Sequence, residues 1–107
     1  MRSFLLRTIR WILVLALGVT VEVVNQAPTP IEVVRIEVAD KVFEATNLHP
    51  GDRETWRLKP KTDGSFRVSG HFATGGRIEG HSLGYTTSGD PFDHVLTING
   101  NGTVDHS

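Results

Sequence analysis

A chain of 107 residues has room for one ordinary domain, and its formal net charge of −1 divides into +2 over residues 1–30 and −3 over residues 31–107. A weakly acidic body argues against general nucleic-acid binding, which needs an excess of Lys and Arg on one face. The lack of cysteine excludes disulfides, thiolate metal sites and a cysteine nucleophile.

Residues 1–24 are first basic and then strongly apolar, which predicts a membrane-anchor helix. Three arginines precede the uninterrupted apolar run of residues 11–21, so the positive-inside rule places residue 1 in the cytoplasm and the body outside it. The run is shorter than the roughly 20 residues that cross a bilayer, but its flanks supply the difference if Arg7 and Arg10 reach back to the headgroups. The centre of the predicted anchor is Trp11, Ile12, Leu13, Val14 and Leu15.

A cleaved export signal is the alternative for the same segment, and a helix lying on the membrane or buried in protein is a third. The basic start and the apolar stretch fit a signal. The small residues expected before the cut fit less well, because Ala16-Leu17-Gly18 falls inside the apolar run and Gln26-Ala27 is followed by Pro28. The sequence therefore favours an anchor, with a secreted protein as the alternative.

The body begins after a short linker. Residues 25–30 read NQAPTP and predict an extended spacer, because two prolines prevent the helix from continuing. From Ile31 the pattern has period two, with turn signals at regular intervals, so residues 31–107 are predicted to form a small all-β domain. We expect an antiparallel β-sandwich or a barrel-like meander of about six to seven strands.

Turn residues predict hairpins between successive strands. The turns lie at residues 39–41, at Pro50-Gly51, at Asp63-Gly64 and at Gly75-Gly76, and the last hairpin joins residues 94–98 to residues 103–106 through NGNG. Register follows from the need to place apolar side chains on one face. The predicted pairs are Val38 with Phe43, Ile36 with Ala45, Ala45 with Trp56, Phe43 with Leu58, Leu58 with Phe66, Trp56 with Val68, Val68 with Leu83, and Phe66 with Tyr85.

The predicted core is thin for the size of the body, which favours support from a partner, from self-association or from the membrane. It consists of the larger apolar side chains that these registers place together: Val34, Ile36, Val38, Phe43, Trp56, Leu58, Phe66, Val68, Leu83, Tyr85, Leu96 and Ile98.

Five histidines raise the question of a Zn or Cu site, because imidazole binds both ions. The predicted register points His71 to the polar face and His81 to the apolar face, so that pair is excluded, while His81 with His94 remains open. The loop that contains Asp90, Asp93 and His94 could hold a cation or an acid-base pair, although Asp is common in any turn. These four residues, His81, Asp90, Asp93 and His94, are the candidate metal ligands, but their spacing matches no metal motif, so we expect no cofactor.

A basic surface is predicted on two neighbouring strands and their turn, with Arg57 opposite Arg67. It comprises Arg53, Arg57, Lys59, Lys61 and Arg67. The simpler interpretation is a strand edge exposed to solvent. The more specific interpretation is a surface that contacts anionic lipid or an acidic partner.

The sequence favours a non-catalytic protein, because it contains no nucleophile elbow and leaves little room for a deep pocket. The first hypothesis is a membrane-anchored extracytoplasmic β domain that binds a protein partner or itself as an accessory subunit or adaptor, with lipid contacts through the N-terminal helix. The alternative is a secreted or anchored domain that binds a small ligand or a metal. No nucleic-acid partner is expected.

Overall fold

The computed structural model describes residues 18–59, 63–86 and 93–107, and these residues form eight strands and no helix. The prediction of an all-β domain is thereby confirmed. The strands are β1 (Val19–Asn25), β2 (Ile31–Val38), β3 (Lys41–Leu48), β4 (Arg53–Leu58), β5 (Gly64–Phe72), β6 (Arg77–Thr86), β7 (His94–Ile98) and β8 (Val104–His106).

The strands form two four-stranded sheets that share one apolar core, an arrangement consistent with a β-sandwich. Sheet A has the order β4-β1-β7-β8, and sheet B has the order β3-β2-β5-β6. Valine, isoleucine and leucine supply most of the core from both sheets. The fully buried side chains include Val19, Val21, Val23, Val34, Ile36, Leu58, Phe66, Val68, Ile78, Leu96 and Ile98.

Strand β1 occupies residues that the sequence analysis assigned to the end of the anchor helix. It lies inside sheet A, antiparallel to β4 and parallel to β7. The valines at positions 19, 21 and 23 are buried, and they alternate with the partly exposed Thr20 and Glu22. Because β-branched residues at period two favour a half-buried strand, this stretch joins the sheet rather than extending an apolar helix.

The predicted anchor residues Trp11, Ile12, Leu13, Val14 and Leu15 lie outside the described residues. Within residues 18–59, 63–86 and 93–107, no helix has the length and hydropathy needed to cross a membrane.

The predicted linker is an ordered bend fixed by Asn25. Its side chain is fully buried, and its Nδ2 donates hydrogen bonds to the carbonyl oxygens of Leu48, at 2.8 Å, and Thr29, at 3.0 Å. Its Oδ1 accepts a hydrogen bond from the backbone N–H of Ala27 at 2.9 Å. The segment that leads from sheet A to sheet B is therefore held against the end of β3 and does not act as a spacer.

The β2–β3 hairpin forms with a register two residues away from the predicted one. Val38 pairs with Lys41 and Ile36 pairs with Phe43, around a loop of two residues in which Ala39 has a φ of 52°. The predicted corner at residues 39–41 contains no glycine, and in the structure Ala39 takes the left-handed conformation that glycine usually supplies. A shift of two residues preserves the alternation, so the same side chains of β2 still face the core.

The two predicted hairpins on either side of β4 are wrong. Strand β4 pairs with β1, and β5 pairs with β2, so the chain crosses from one sheet to the other on both sides of β4. The predicted turn at Pro50-Gly51 is present, with Gly51 at a φ of 86° and its N–H donating to the carbonyl of Asn25. Turn residues reverse the chain direction, but they do not determine which sheet the next strand joins.

The β5–β6 hairpin is also shifted from the predicted register. Gly70 pairs with Ile78 and Phe66 pairs with Leu83, with irregularities between them. Ser82 and Gly84 both have a positive φ, which accounts for a bulged β6. The final hairpin is confirmed, since Ile98 of β7 pairs with Val104 of β8.

We expect a chain that begins at Val19 to fold, and a chain that begins at Ile31, the predicted start of the body, to fail. The second chain lacks β1, which separates β4 from β7 and contributes four buried valines at about 1.5–3 kcal/mol each. That sum is comparable to the whole stability of a small domain. Circular dichroism melting and dispersion of amide NMR signals measure the difference. Equal cooperative melting of both chains would contradict the central role of β1.

Candidate functional site

Two imidazoles and a phenyl ring form a cluster inside one side of the fold, where β6 and β8 approach each other. We call His94, His106 and Phe66 the imidazole cluster. Nδ1 of His94 lies 2.8 Å from Nε2 of His106, so the rings share a hydrogen bond. The ring centroid of Phe66 lies 4.8 Å from that of His94 and 5.5 Å from that of His106.

Three strands from both sheets position the cluster. His94 begins β7 and is 3% exposed, while His106 ends β8 and is partly exposed. The β7–β8 register pairs Leu96 with His106, and His94 lies two residues before Leu96, so both imidazoles lie on the same face of sheet A. Phe66 reaches them from β5 of sheet B.

A glycine on β6 makes room for the His106 ring. Gly84 has a φ of 60°, and a Cβ placed on it would overlap the Cε1, Nδ1 and Nε2 atoms of His106. Because no side chain intervenes, the imidazole packs directly on the backbone of β6. This contact joins the edge strands of the two sheets.

Burial lowers the pKa of His106 below its ordinary value of 6.5. A hydrogen bond between two neutral imidazoles needs one ring nitrogen to donate and the other to accept, which the His94–His106 geometry allows. The cluster can therefore hold one shared proton. In the described part of the chain, no group of three or more His, Cys, Asp or Glu side chains has the arrangement to bind a metal.

The structure does not bring the predicted metal ligands together. His81 is exposed, and its Nε2 lies 3.0 Å from Oε1 of Glu79, whereas His94 is buried in the core. Asp93 accepts a hydrogen bond through Oδ1 from the backbone N–H of Thr20 at 2.9 Å, which ties it to the start of β1. Asp90 lies outside the described residues.

His106 was missed by the sequence analysis, although a signal for it was present. The NGNG turn predicts the last hairpin correctly, and a two-strand register with Ile98 opposite Val104 places His106 and His94 on one face. The prediction used register to place His71 and His81 and considered His94 with His81 and with the aspartates of its loop, but it did not follow the last hairpin to His106.

The predicted basic surface divides between the two sheets. Arg57 on β4 pairs with Thr20 in sheet A, and Arg67 on β5 pairs with Glu37 in sheet B, so the two arginines are not cross-strand neighbours. Nη1 of Arg53 forms an ion pair with Oε1 of Glu22 at 2.7 Å. Lys59 is exposed after β4, and Lys61 lies outside the described residues.

The free edge of β3 is a second candidate site. Among the described residues β3 pairs only with β2, and this pairing keeps a constant register from Val38–Lys41 to Ile31–Leu48. In a hairpin with a two-residue loop, the pair that closes the loop is hydrogen-bonded, and the following pairs alternate between non-hydrogen-bonded and hydrogen-bonded. Val42, Glu44 and Thr46 belong to non-hydrogen-bonded pairs, so their N–H and C=O groups point to the free edge. Val42 is 54% exposed, which is unusual for a large apolar side chain in this fold.

The other edges are less available. In the described residues β8 has only three residues. Strand β6 is bulged and donates a hydrogen bond to the β7–β8 turn, from the N–H of Glu79 to the carbonyl of Gly102 at 3.1 Å. Strand β4 has six residues, three of which are charged (Arg53, Glu54 and Arg57), and charged side chains protect an edge from pairing. Strand β3 is the longest edge without a register shift.

Comparisons with known proteins show a shared fold and no family. No family model matches the chain, and no curated protein matches it. A solved structure with a similar fold is the NMR structure of a protein from Eubacterium rectale, with a TM-score of 0.64 and 18% sequence identity. The match covers 83% of this chain and 85% of that one. At this identity the likeness shows the architecture alone.

Replacing Gly84 by Ala should destabilise the protein more than replacing Gly51 by Ala. Both residues have a positive φ, so both variants carry the conformational penalty of about 1 kcal/mol. A Cβ at Gly51 meets nothing within 4 Å, whereas one at Gly84 overlaps the His106 ring and adds about 1–3 kcal/mol of overpacking. Urea unfolding measures both values. Equal losses would show that His106 does not pack on Gly84.

The stability of the protein should fall as the pH drops below about 6.5, partly through His106. Its pKa is lowered in the folded protein, so the unfolded chain binds the proton more readily. The contribution of neutral His106 is fully present above the unfolded pKa and is lost as the pH falls through the folded pKa. Urea unfolding from pH 8 to pH 5 should give a steeper decline for the unmodified protein than for His106→Gln. Parallel declines would contradict this assignment.

Proposed function

We propose that this chain is a non-catalytic binding domain that acts outside the cytoplasm and pairs the free edge of β3 with an extended strand of a partner protein. The observation that carries the proposal is the edge of β3, which spans eight residues without a register shift, is regular from Lys41 to Thr46 and has a positive φ at Asn47. The other described edge strands are shorter or have register shifts. Main-chain groups on such an edge supply affinity, and the side chains around it supply specificity.

The chemistry of the edge favours a strand with mixed polarity. Val42 and Thr46 offer apolar and hydroxyl-bearing surface on the outer face of sheet B, and Glu44 lies between them opposite Arg35. On the inner face, Phe43 of β3 stacks on Trp56 of β4, with ring centroids 5.3 Å apart. This stack closes the core behind the edge, so a partner strand adds to the sheet without opening it.

Export from the cytoplasm is supported by the sequence of residues 1–17, which places three arginines before an apolar run. An accessory subunit or adaptor of a membrane or envelope assembly is the role that combines export with strand pairing. The alternative, a small-ligand or metal binder built on His81, Asp90, Asp93 and His94, is the weaker proposal because His81 lies at the surface and His94 in the core.

Glu44→Pro should dissociate the partner complex, whereas Glu44→Ala should preserve it. Both variants lose the carboxylate, but only proline removes an N–H that points to the free edge, and proline is tolerated on the solvent side of an edge strand. The mass of the protein, extracted from its source cells in mild detergent, is measured by size-exclusion chromatography with light scattering. We expect a mass above 11.8 kDa for the unmodified chain and for Glu44→Ala.

A shift of Glu44→Pro to the monomer mass, with its melting temperature close to that of Glu44→Ala, supports pairing at β3. An unmodified chain that runs as a lone monomer contradicts the binding role. If the complex contains only copies of this chain, the partner is a second copy. If the complex survives Glu44→Pro, the interface does not lie at β3.

A further inference from the structure

We propose that the chain is processed between Gly18 and Val19, so that residues 1–18 are a cleaved export signal and strand β1 is the first element of the mature protein. This inference rests on the export component of the proposed function and is independent of the β3 edge.

The first step is that β1 and a membrane helix compete for the same residues. Val19, Val21 and Val23 are 0–1% exposed in the core, and β1 pairs along its length with β4 and β7. Placing them in a bilayer would remove the strand that joins the two parts of sheet A. The apolar segment available to a membrane therefore ends at Gly18.

The second step is length. From Phe4 to Leu17 a helix would extend about 21 Å, against a hydrocarbon layer of about 30 Å. Arg7 and Arg10 fall within that stretch, and charged residues are disfavoured in the apolar layer. The uninterrupted apolar residues are 11–17, which is too short for an anchor but lies within the 7–15 residues typical of a signal.

The third step is the sequence next to the strand. Ala16 and Gly18 are small residues at the third and first positions before Val19, which is the pattern that export peptidases read. By hydropathy alone this site lies inside an apolar run that continues to Val21. With β1 assigned to the fold, the apolar run stops where the site begins, and that objection no longer applies.

The fold also accommodates the new terminus. Hydrolysis of the Gly18–Val19 peptide bond adds one water, leaves a carboxylate on Gly18 and creates an α-amino group on Val19. The N–H of Thr20, one residue further on, donates to Oδ1 of Asp93 at 2.9 Å. An ammonium group at Val19 would lie one residue from the N–H that binds this carboxylate, and the opposite charges attract.

Gly18 itself is not a suitable position for the test. It has a φ of 88°, and a Cβ there would meet the carbonyl oxygen of Leu58, so a substitution would strain the fold of the uncleaved chain as well as alter the cleavage site. The test variants are Ala16→Phe, which places a large side chain three positions before the bond, and Leu17→Phe as the matched control at a position where size is tolerated. Both precede β1.

The experiment expresses the full chain in bacterial cells, separates the membrane fraction from the exported soluble fraction, and measures intact masses. We expect the unmodified chain and Leu17→Phe to lack residues 1–18 and to begin at Val19, and Ala16→Phe to retain its full length in the membrane fraction. Full-length mass for the unmodified chain overturns the inference, and its recovery in the membrane fraction would indicate an anchor. A cut at any other bond overturns the assigned site.

The outcome is separable from that of the proposed function. Processing is measured by mass and requires no partner, whereas strand pairing at β3 is measured by complex size and requires no cleavage. A mature chain that begins at Val19 and runs as a monomer supports this inference while contradicting the binding role.

Discussion

The double pairing of β1 is the constraint on which the rest of the structure depends. Strand β1 is hydrogen-bonded to β4 on one side and to β7 on the other, and its buried valines fill the centre of the core. Because β7 aligns on β1, the position of His94, and through it that of His106, follows from this pairing. Asn25 fixes the end of β1, since its side chain binds both the following bend and the last residue of β3. A single strand thus connects the sheets, the core and the imidazole cluster.

Most of the local structure was predictable from the sequence, and most of the pairing was not. Period-two alternation located the strands from β2 onward, and NGNG located the last hairpin, because both signals depend on neighbouring residues alone. The pairing of β4 with β1 requires β1 to be recognised as a strand. Hydropathy does not distinguish a strand from a helix here, because valine is apolar in either. Because the prediction placed the residues of β1 in the anchor helix, it paired each remaining strand with its neighbour in the chain. The β4–β1 and β2–β5 pairs were therefore absent from it.

The candidate site was predictable only where it lies within one hairpin. His94 and His106 belong to a hairpin whose turn chemistry is explicit, whereas Phe66 reaches them from the other sheet. Gly84 could not be recognised as the residue that admits the His106 ring, because its role arises from a contact between strands far apart in the chain. The predicted pairing of Arg57 with Arg67 is absent for the same reason, because β4 and β5 are consecutive in the chain but lie in different sheets.

The parallel pairing of β1 with β7 has a consequence for the order of folding. Thr20 and Asp93, which close this part of the sheet, are 73 positions apart, so the first strand has no permanent neighbour on that side until nearly the whole chain has been synthesised. Contacts of such long range raise the contact order and slow the folding of all-β proteins to milliseconds or longer. Until then, sheet A lacks the strand that covers one side of β1. Sheet A therefore becomes complete only after the C-terminal hairpin of β7 and β8 has been synthesised.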